Sequence, residues 1–182
     1  MMNLPKDTLI KHDKAYLTKI IKESPYIFEG TLVKKENAFC VKNGGVYTPN
    51  VVHVNKILRG NDLKIGTVEI IMEEGSAEGT DGWIHMTTNP SDGPGFLRLY
   101  NGQHVMFFCI PADSSIKQKP EKIITTDNTV RLQPKDWYTT SAIFLPKDDG
   151  SISWLNLSFK NKKELYDFLS KHSNIKIPKE PH

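Results

Sequence analysis

The side chains that could bind a metal or act as a base are scattered along this chain. His53, His85, His104 and Cys109 are of the types that bind transition metals, but the gaps between them match no ligand motif. No serine or cysteine lies in a GxSxG pattern, and an HExxH pattern is also absent. A nucleophilic role for Cys40 stays open on the sequence alone, although an inert cysteine is favoured. The sequence therefore predicts no catalytic residue, no metal site and no cofactor.

The stretch 74–95 carries most of the residues that indicate a binding role. Its acids offer the oxygen ligands that calcium prefers, but their order does not match a calcium-binding loop, so a solvated acidic loop is favoured. Only residues 83–86 could pack within this glycine-rich segment. Such a loop inside a compact domain is more often functional than connecting. We therefore predict a binding surface that includes Trp83, His85 and Arg98 beside the strands.

Aromatic residues near the end of the predicted sheet raise a second possibility. Phe96, Tyr100, Phe107 and Phe108 could form the stacking platform on which some proteins bind single-stranded nucleic acid. Their alternation along strands fits a packed core better, and no basic cluster lies beside them. Nucleic-acid binding is therefore the alternative function, and a nucleic acid is the less favoured partner.

The composition limits the class of protein. Of the 182 residues, 38% are hydrophobic and 25% are charged, as is typical of one globular domain. The 24 basic and 21 acidic residues give a net charge of +3, which is too small and too well mixed to indicate nucleic acid or an anionic membrane. No apolar run approaches the length of a transmembrane helix, so no membrane span is expected.

The N-terminal residues and the cysteines leave the cellular location open. Residues 1–7 lack the apolar region of a signal peptide, so the chain is either cytoplasmic or a mature segment whose leader has been removed. Cys40 and Cys109 are too few for a disulfide framework, and the sequence does not decide whether they pair.

The elements that must position these residues are mostly strands. Alternating apolar and polar residues predict five strands, and Gly30 inside the first predicts the bulge or bend that a small closed barrel requires. Pro49 is expected to delay pairing of the second strand until about Val51. These elements predict a mainly β fold with flanking helices, built on a five-stranded antiparallel barrel of the OB type. The predicted helix covers 8–22 with Asp7 or Thr8 as its cap. The predicted strands cover 26–34, 50–57, 66–73, 96–100 and 104–110, and the last two are expected to form a hairpin around Asn101-Gly102.

The C-terminal region predicts a hairpin and then a helix. Strands at 137–145 and 151–157 flank a turn, and Asn161 starts the helix with Glu164 in the position of a capping box. Because an isolated hairpin is only marginally stable in water, this region is expected to fold with the strands before it. The predicted organisation is an N-terminal helix packed on the barrel (1–24), the OB-like barrel (25–112), a linker (113–128), the C-terminal hairpin and helix (129–175) and a tail (176–182).

Three segments of the strand region also resemble a known family. Residues 24–33, then 47–48 followed by 52–61, and then 66–71 resemble the netrin-like module, which is also called the tissue-inhibitor-of-metalloproteinase-like OB module. The variant found in secreted bacterial multidomain proteins is the most similar in character. The resemblance extends over residues 16 to about 110, including 99–108, and more loosely to 159–168.

The resemblance implies a fold and a setting rather than an activity. Inhibitors of this family chelate the zinc of their target through an N-terminal cysteine, and this chain has no cysteine before Cys40, so that mechanism is not carried over. We therefore expect a non-enzymatic binding or accessory module of a cell-surface or secreted protein, with a protein or glycan ligand and an undetermined oligomeric state. The alternative is a cytoplasmic OB-fold protein that binds single-stranded nucleic acid.

Overall fold

The fold is mainly β with two helices in the part of the chain that the structure describes, as the sequence predicts. The computed structural model describes residues 3–42, 45–87, 99–113, 130–136, 140–172 and 175. The helices are α1 (Lys6–Glu23) and α2 (Lys162–His172). The strands are β1 (Tyr26–Lys35), β2 (Phe39–Cys40), β3 (Val46–Arg59), β4 (Gly66–Met72), β5 (Gly75–Glu78), β6 (Ile84–Thr87), β7 (His104–Pro111), β8 (Val130–Pro134), β9 (Ala142–Phe144), β10 (Ile152–Trp154) and β11 (Leu157–Phe159).

The main sheet contains a Greek key. β1, β3 and β4 are consecutive antiparallel neighbours, and β7 returns after a long connection to pair with β1 on its free side. β8 then pairs parallel to β4 and antiparallel to β7. Each of these five strands therefore hydrogen-bonds to two others of the five. The strand β8 was not predicted, because its residues are mixed in polarity and lie near the boundary of the predicted linker.

Alternate side chains of β1 contribute to two separate hydrophobic clusters. Phe28 packs with Phe107 inside the ring of strands, at a ring-centroid distance of 5.6 Å. Ile27 points to the opposite face and packs with Leu17 of α1 and Leu165 of α2. The period-2 pattern that predicts β1 therefore also explains why both helices cover one outer face of the sheet.

The predicted bend at Gly30 is confirmed. The pairing of β1 with β3 shifts register between Glu29 and Gly30. A Cβ atom at Gly30 would lie 2.4 Å from Cγ1 of Val52 and 3.0 Å from the carbonyl oxygen of His53. The glycine is therefore required by the close approach of β3 as well as by the bulge.

The predicted cap of α1 is wrong, whereas its end is confirmed. The helix begins at Lys6, no side chain caps it, and the N–H groups of Thr8 and Leu9 donate to the carbonyl of Pro5. The N-cap is thus a proline, so Asp7 lies in the first turn, where its charge faces the positive end of the helix dipole. The helix ends at Glu23, because Ser24 before a proline takes an extended conformation.

The expected effect of Pro49 is also wrong, because β3 is paired from Val46 onward. β2 pairs with the start of β3 as far as Tyr47, and β1 pairs with it from Asn50. Pro49 lies between these two partners on that side of the strand and opposite Ile71 of β4 on the other. Pro49 therefore lies where β3 changes partner, and its lack of an N–H removes no hydrogen bond between strands there.

Two predicted hairpins are replaced by other pairings. β9 pairs with β7 of the main sheet, and the C-terminal hairpin instead joins β10 to β11 through a turn in which Leu155 has φ +48°. Residues 137–139 of the predicted strand lie outside the described part. Residues 96–98 of the other predicted hairpin do so as well, while Leu99 and Tyr100 are not in a strand and β7 pairs with β1, β8 and β9 instead.

The C-terminal helix begins as predicted. The side-chain oxygen of Asn161 accepts a hydrogen bond of 3.0 Å from the N–H of Glu164, and Glu164 in turn accepts one of 2.9 Å from the N–H of Lys160. That residues 129–175 unfold together with the main sheet stays a prediction. Neither described helix combines the length and the apolarity that a membrane span requires.

Asp13 connects α1 to the β10–β11 turn. Its buried carboxylate accepts hydrogen bonds from the backbone N–H and the side-chain amide of Asn156, at 2.9 Å and 2.8 Å. Burial alone would raise the pKa of Asp13, but the bonds from Asn156 and from His12 outweigh it and hold the pKa below its ordinary value of 3.8.

We expect Asp13→Asn to lower the free energy of unfolding near pH 7 by about 1.5–2 kcal/mol, the lower end of the range for a hydrogen bond to a charged group. Because the pKa of Asp13 is lower in the folded state, its contribution is complete above the unfolded pKa and is lost as the pH falls through the folded value. Urea unfolding of both proteins between pH 2.5 and pH 7 measures this. A deficit that stays constant down to the lowest pH would contradict the assignment.

Candidate binding surface

The predicted binding loop begins with a β-hairpin. Residues 75–87 of the stretch that the sequence predicts as irregular form β5 and β6, which pair antiparallel from Gly75 opposite Thr87 to Glu78 opposite Ile84. The prediction of an irregular segment is therefore wrong for this part, and residues 88–95 lie outside the described residues. The hairpin was not predicted because the alternation of apolar and polar residues in 84–87 is short and follows several glycines.

The base of the hairpin is fixed to the main sheet. The Thr48 hydroxyl donates a hydrogen bond of 2.9 Å to the backbone carbonyl of Glu74, and the Lys35 ammonium lies 3.6 Å from the Glu74 carboxylate. Gly75 has φ +102°, and a Cβ atom there would lie 2.8 Å from the Thr48 hydroxyl and 2.9 Å from Cβ of Ala38. This close contact holds the hairpin against β2 and β3.

The turn of the hairpin is held by Asp81. One carboxylate oxygen accepts a hydrogen bond of 3.0 Å from the N–H of Trp83, and the other lies 2.9 Å from Nε2 of His85, which donates to it. Both bonds lower the pKa of Asp81, and the bond from the N–H of Trp83 has the larger effect. The N–H of Gly79 also donates to the carbonyl of Trp83. The backbone that carries Trp83 is thus fixed although the side chain is exposed.

One face of this hairpin exposes large apolar side chains. Ile84 and Met86 alternate with His85 along β6, and their side chains are 66% and 72% exposed. Across the hairpin they lie opposite Glu78 and Ser76, which are exposed as well. Trp83 at the turn is 74% exposed. We use the name hairpin face for five exposed residues: Ser76, Glu78, Ile84 and Met86 on one side of the paired strands, and Trp83 at the turn.

The predicted binding residues have different positions. Trp83 belongs to the hairpin face. His85 lies on the opposite side of β6, half-buried and bonded to Asp81, so its position suits holding the turn rather than meeting a ligand. Arg98 lies outside the described residues. From the sequence, Ile84 and Met86 are expected only to pack, as part of 83–86, although their spacing of two could have indicated a shared exposed face.

A second polar cluster lies under α2 and was not predicted. The Glu29 carboxylate, only 3% exposed, lies 2.6 Å from the ammonium of Lys162 at the start of α2. The Lys56 and Lys162 ammonium groups lie 4.7 Å and 5.7 Å from the centre of the Tyr166 ring. Burial lowers the pKa of His104 beside them, although the negative charge of Glu29 acts against this shift.

This second cluster attaches α2 to the sheet. Within the described residues its hydroxyl groups belong to Tyr166, which is buried, and to Thr31, which is bonded to Asn55 at 2.7 Å. The ion pair between Glu29 and Lys162 is therefore best explained as a structural contact between β1 and α2.

In the described part of the chain the two cysteines form no disulfide, and no cluster of side chains suits a metal ion. Cys40 and Cys109 are both free, and burial raises the pKa of the Cys109 thiol far above its ordinary value, which makes it a poor nucleophile. Among the residues that the structure describes, no three histidine, cysteine or acidic side chains are close enough together to hold a metal ion.

Comparison with known proteins does not assign a family. No family model matches the chain, and a search of curated proteins finds no significant match. The resemblance to the netrin-like module therefore rests on its sequence motifs alone.

Proposed function

We propose that this protein is a non-enzymatic, protein-binding module of the OB type, whose hairpin face inserts apolar side chains into a partner. The observation that carries the proposal is the exposure of Trp83, Ile84 and Met86 on a hairpin that is fixed at its base and at its turn. Exposed tryptophan and neighbouring aliphatic residues are typical of the anchors that dominate protein interfaces. A rigid hairpin also reduces the entropy lost on binding.

The OB-type part of the proposal is supported by the strand pairings. OB folds are five-stranded Greek-key barrels, and here a Greek key of β1, β3, β4 and β7 is joined at its two ends by β8. The bend at Gly30 provides the curvature that such a barrel needs. On this interpretation the five paired strands are the scaffold, and the hairpin of β5 and β6 is an insertion that carries the binding surface.

A protein partner fits the hairpin face better than a glycan or a nucleic acid. Ile84 and Met86 offer no hydrogen-bonding group to sugar hydroxyls. A nucleic acid would need cations near the aromatic side chain, whereas residues 73–87 contain four acids and no lysine or arginine. The setting that we propose, a cell-surface or secreted protein, follows from the netrin-like resemblance.

The test is photo-crosslinking from the hairpin. We expect p-benzoylphenylalanine at position 84 to form discrete adducts with protein from extracts and culture medium of the source cells, and we expect Trp83→Ala to remove them. The matched control places the same residue at position 65, because Ile65 is also an exposed isoleucine, at 61%, but lies outside the hairpin.

Three outcomes would contradict the proposal. Equal adducts from positions 84 and 65 would show nonspecific contact. Selective binding to a glycan array that depends on Trp83 would assign a sugar ligand instead. Affinity for single-stranded oligonucleotides clearly tighter than the nonspecific range of about 10⁻⁴–10⁻⁶ M at physiological salt would favour the nucleic-acid alternative.

A further inference from the structure

We infer that the partner surface for the hairpin face is an apolar pocket with arginine or lysine at its edge. This inference rests on the proposed function and specifies the chemistry of the partner. It follows from the position of acidic side chains relative to the apolar ones.

The hairpin and the two residues before it contain acidic side chains but no lysine or arginine. Residues 73–87 contain Glu73, Glu74, Glu78 and Asp81 and no lysine or arginine. Two of these charges are engaged within the chain, since Glu74 lies beside Lys35 and Asp81 accepts from His85. Glu78 is exposed, and no cation forms an ion pair with it in the described part of the chain.

Glu78 lies where docking would remove its water. It is directly opposite Ile84 in the hairpin, and both side chains are exposed on the same face. A partner that covers Ile84 and Met86 must therefore also cover or border the Glu78 carboxylate. Taking a carboxylate out of water is costly unless a cation or hydrogen-bond donors replace the water.

An arginine or lysine at the edge of the pocket meets this requirement. Arginine suits it well, because its planar fork binds a carboxylate through two hydrogen bonds and can also stack on an indole such as that of Trp83. A second copy of this chain that docks through its own hairpin face does not meet it, because the two faces would bring like charges together. Anionic membranes and nucleic acids are disfavoured for the same reason.

The experiment selects ligands without assuming a partner. A phage-displayed library of random 12-residue peptides is panned on the full-length protein and counter-selected on the Trp83→Ala, Ile84→Ser, Met86→Ser variant. We expect the recovered peptides to combine aromatic or aliphatic residues with arginine or lysine. Synthetic copies should bind Glu78→Lys at least about tenfold more weakly than the unchanged protein, since a favourable charge contact becomes a repulsive one.

The matched control is Asp167→Lys, which makes the same change of charge at an exposed acid on α2 and should alter binding less than about twofold. Thermal unfolding confirms that each variant is folded. Peptides that need the hairpin face but carry no positive charge, or that bind Glu78→Lys as well as the unchanged protein, would overturn the inference and leave the proposed function standing. Failure to recover any peptide that depends on the hairpin face would contradict both.

Discussion

Replacing Lys162 with methionine is expected to lower the free energy of unfolding by about 2–3 kcal/mol. The substitution removes the cation that lies 2.6 Å from the Glu29 carboxylate and leaves that carboxylate, 3% exposed, in a site with little water. Loss of one partner of a buried ion pair typically costs about 3–5 kcal/mol. The expected value is smaller here because the Lys162 side chain is 38% exposed and solvent weakens the pair. Equilibrium unfolding in urea measures the change.

Two further variants separate the ion pair from general effects of losing a lysine. Lys56→Met removes the other ammonium group above the Tyr166 ring and should cost about 1 kcal/mol or less, the scale of a cation–π contact. The double variant Glu29→Met, Lys162→Met should regain most of the lost stability, because apolar residues often replace a buried pair without loss. Equal effects of Lys162→Met and Lys56→Met would contradict the role given to Glu29.

Local sequence patterns predict the first part of the fold well. The alternation in β1 and β4 and the helical spacing in α1 each depend on neighbours within a few residues, and these elements lie where they are expected. The Asn161 cap is equally local, because the bond to the N–H of Glu164 spans one turn. Such signals are strong because a period or a cap is a property of the segment itself.

The pairing of the later strands could not be predicted in the same way. A hairpin between neighbouring strands is the natural expectation, but β9 instead pairs with β7, far earlier in the chain. β8 has only five residues and follows a long segment, so neither its length nor its pattern marks it as part of the sheet. These pairings depend on tertiary contacts within the main sheet, and they cannot be derived from the strand sequences alone.

Only part of the candidate site could be predicted, because the rest also depends on tertiary contacts. The acidic, glycine-rich residues around Trp83 predict that this tryptophan lies at the surface and could bind a ligand. The division of β6 into an outer face with Ile84 and an inner face with His85 requires the register of the hairpin and its contact with β2 and β3. The contact between Glu29 and Lys162 joins distant parts of the chain, and no local pattern indicates it.

Gly30 is the position where a single added side chain should be most costly. It lies at the register shift of β1, and the space that a Cβ atom would occupy is already filled. Such an atom would lie 2.4 Å from Cγ1 of Val52, 3.0 Å from the backbone oxygen of His53 and 3.6 Å from the Phe107 ring. The contact with His53 involves backbone, so rotation of a side chain cannot relieve it.

We therefore expect Gly30→Val to lower the free energy of unfolding by about 3 kcal/mol or more, at the upper end of the range for overpacked cores. Urea unfolding with circular dichroism measures the loss. Gly150→Val is the matched control and should cost much less, because no atom lies closer than 3.3 Å to a Cβ at Gly150. Combining Gly30→Ala with Val52→Ala should cost less than the sum of the two changes, since the second removes the nearest clashing atom. Strict additivity, or equal losses at Gly30 and Gly150, would show that β3 moves away from β1 more easily than this packing implies.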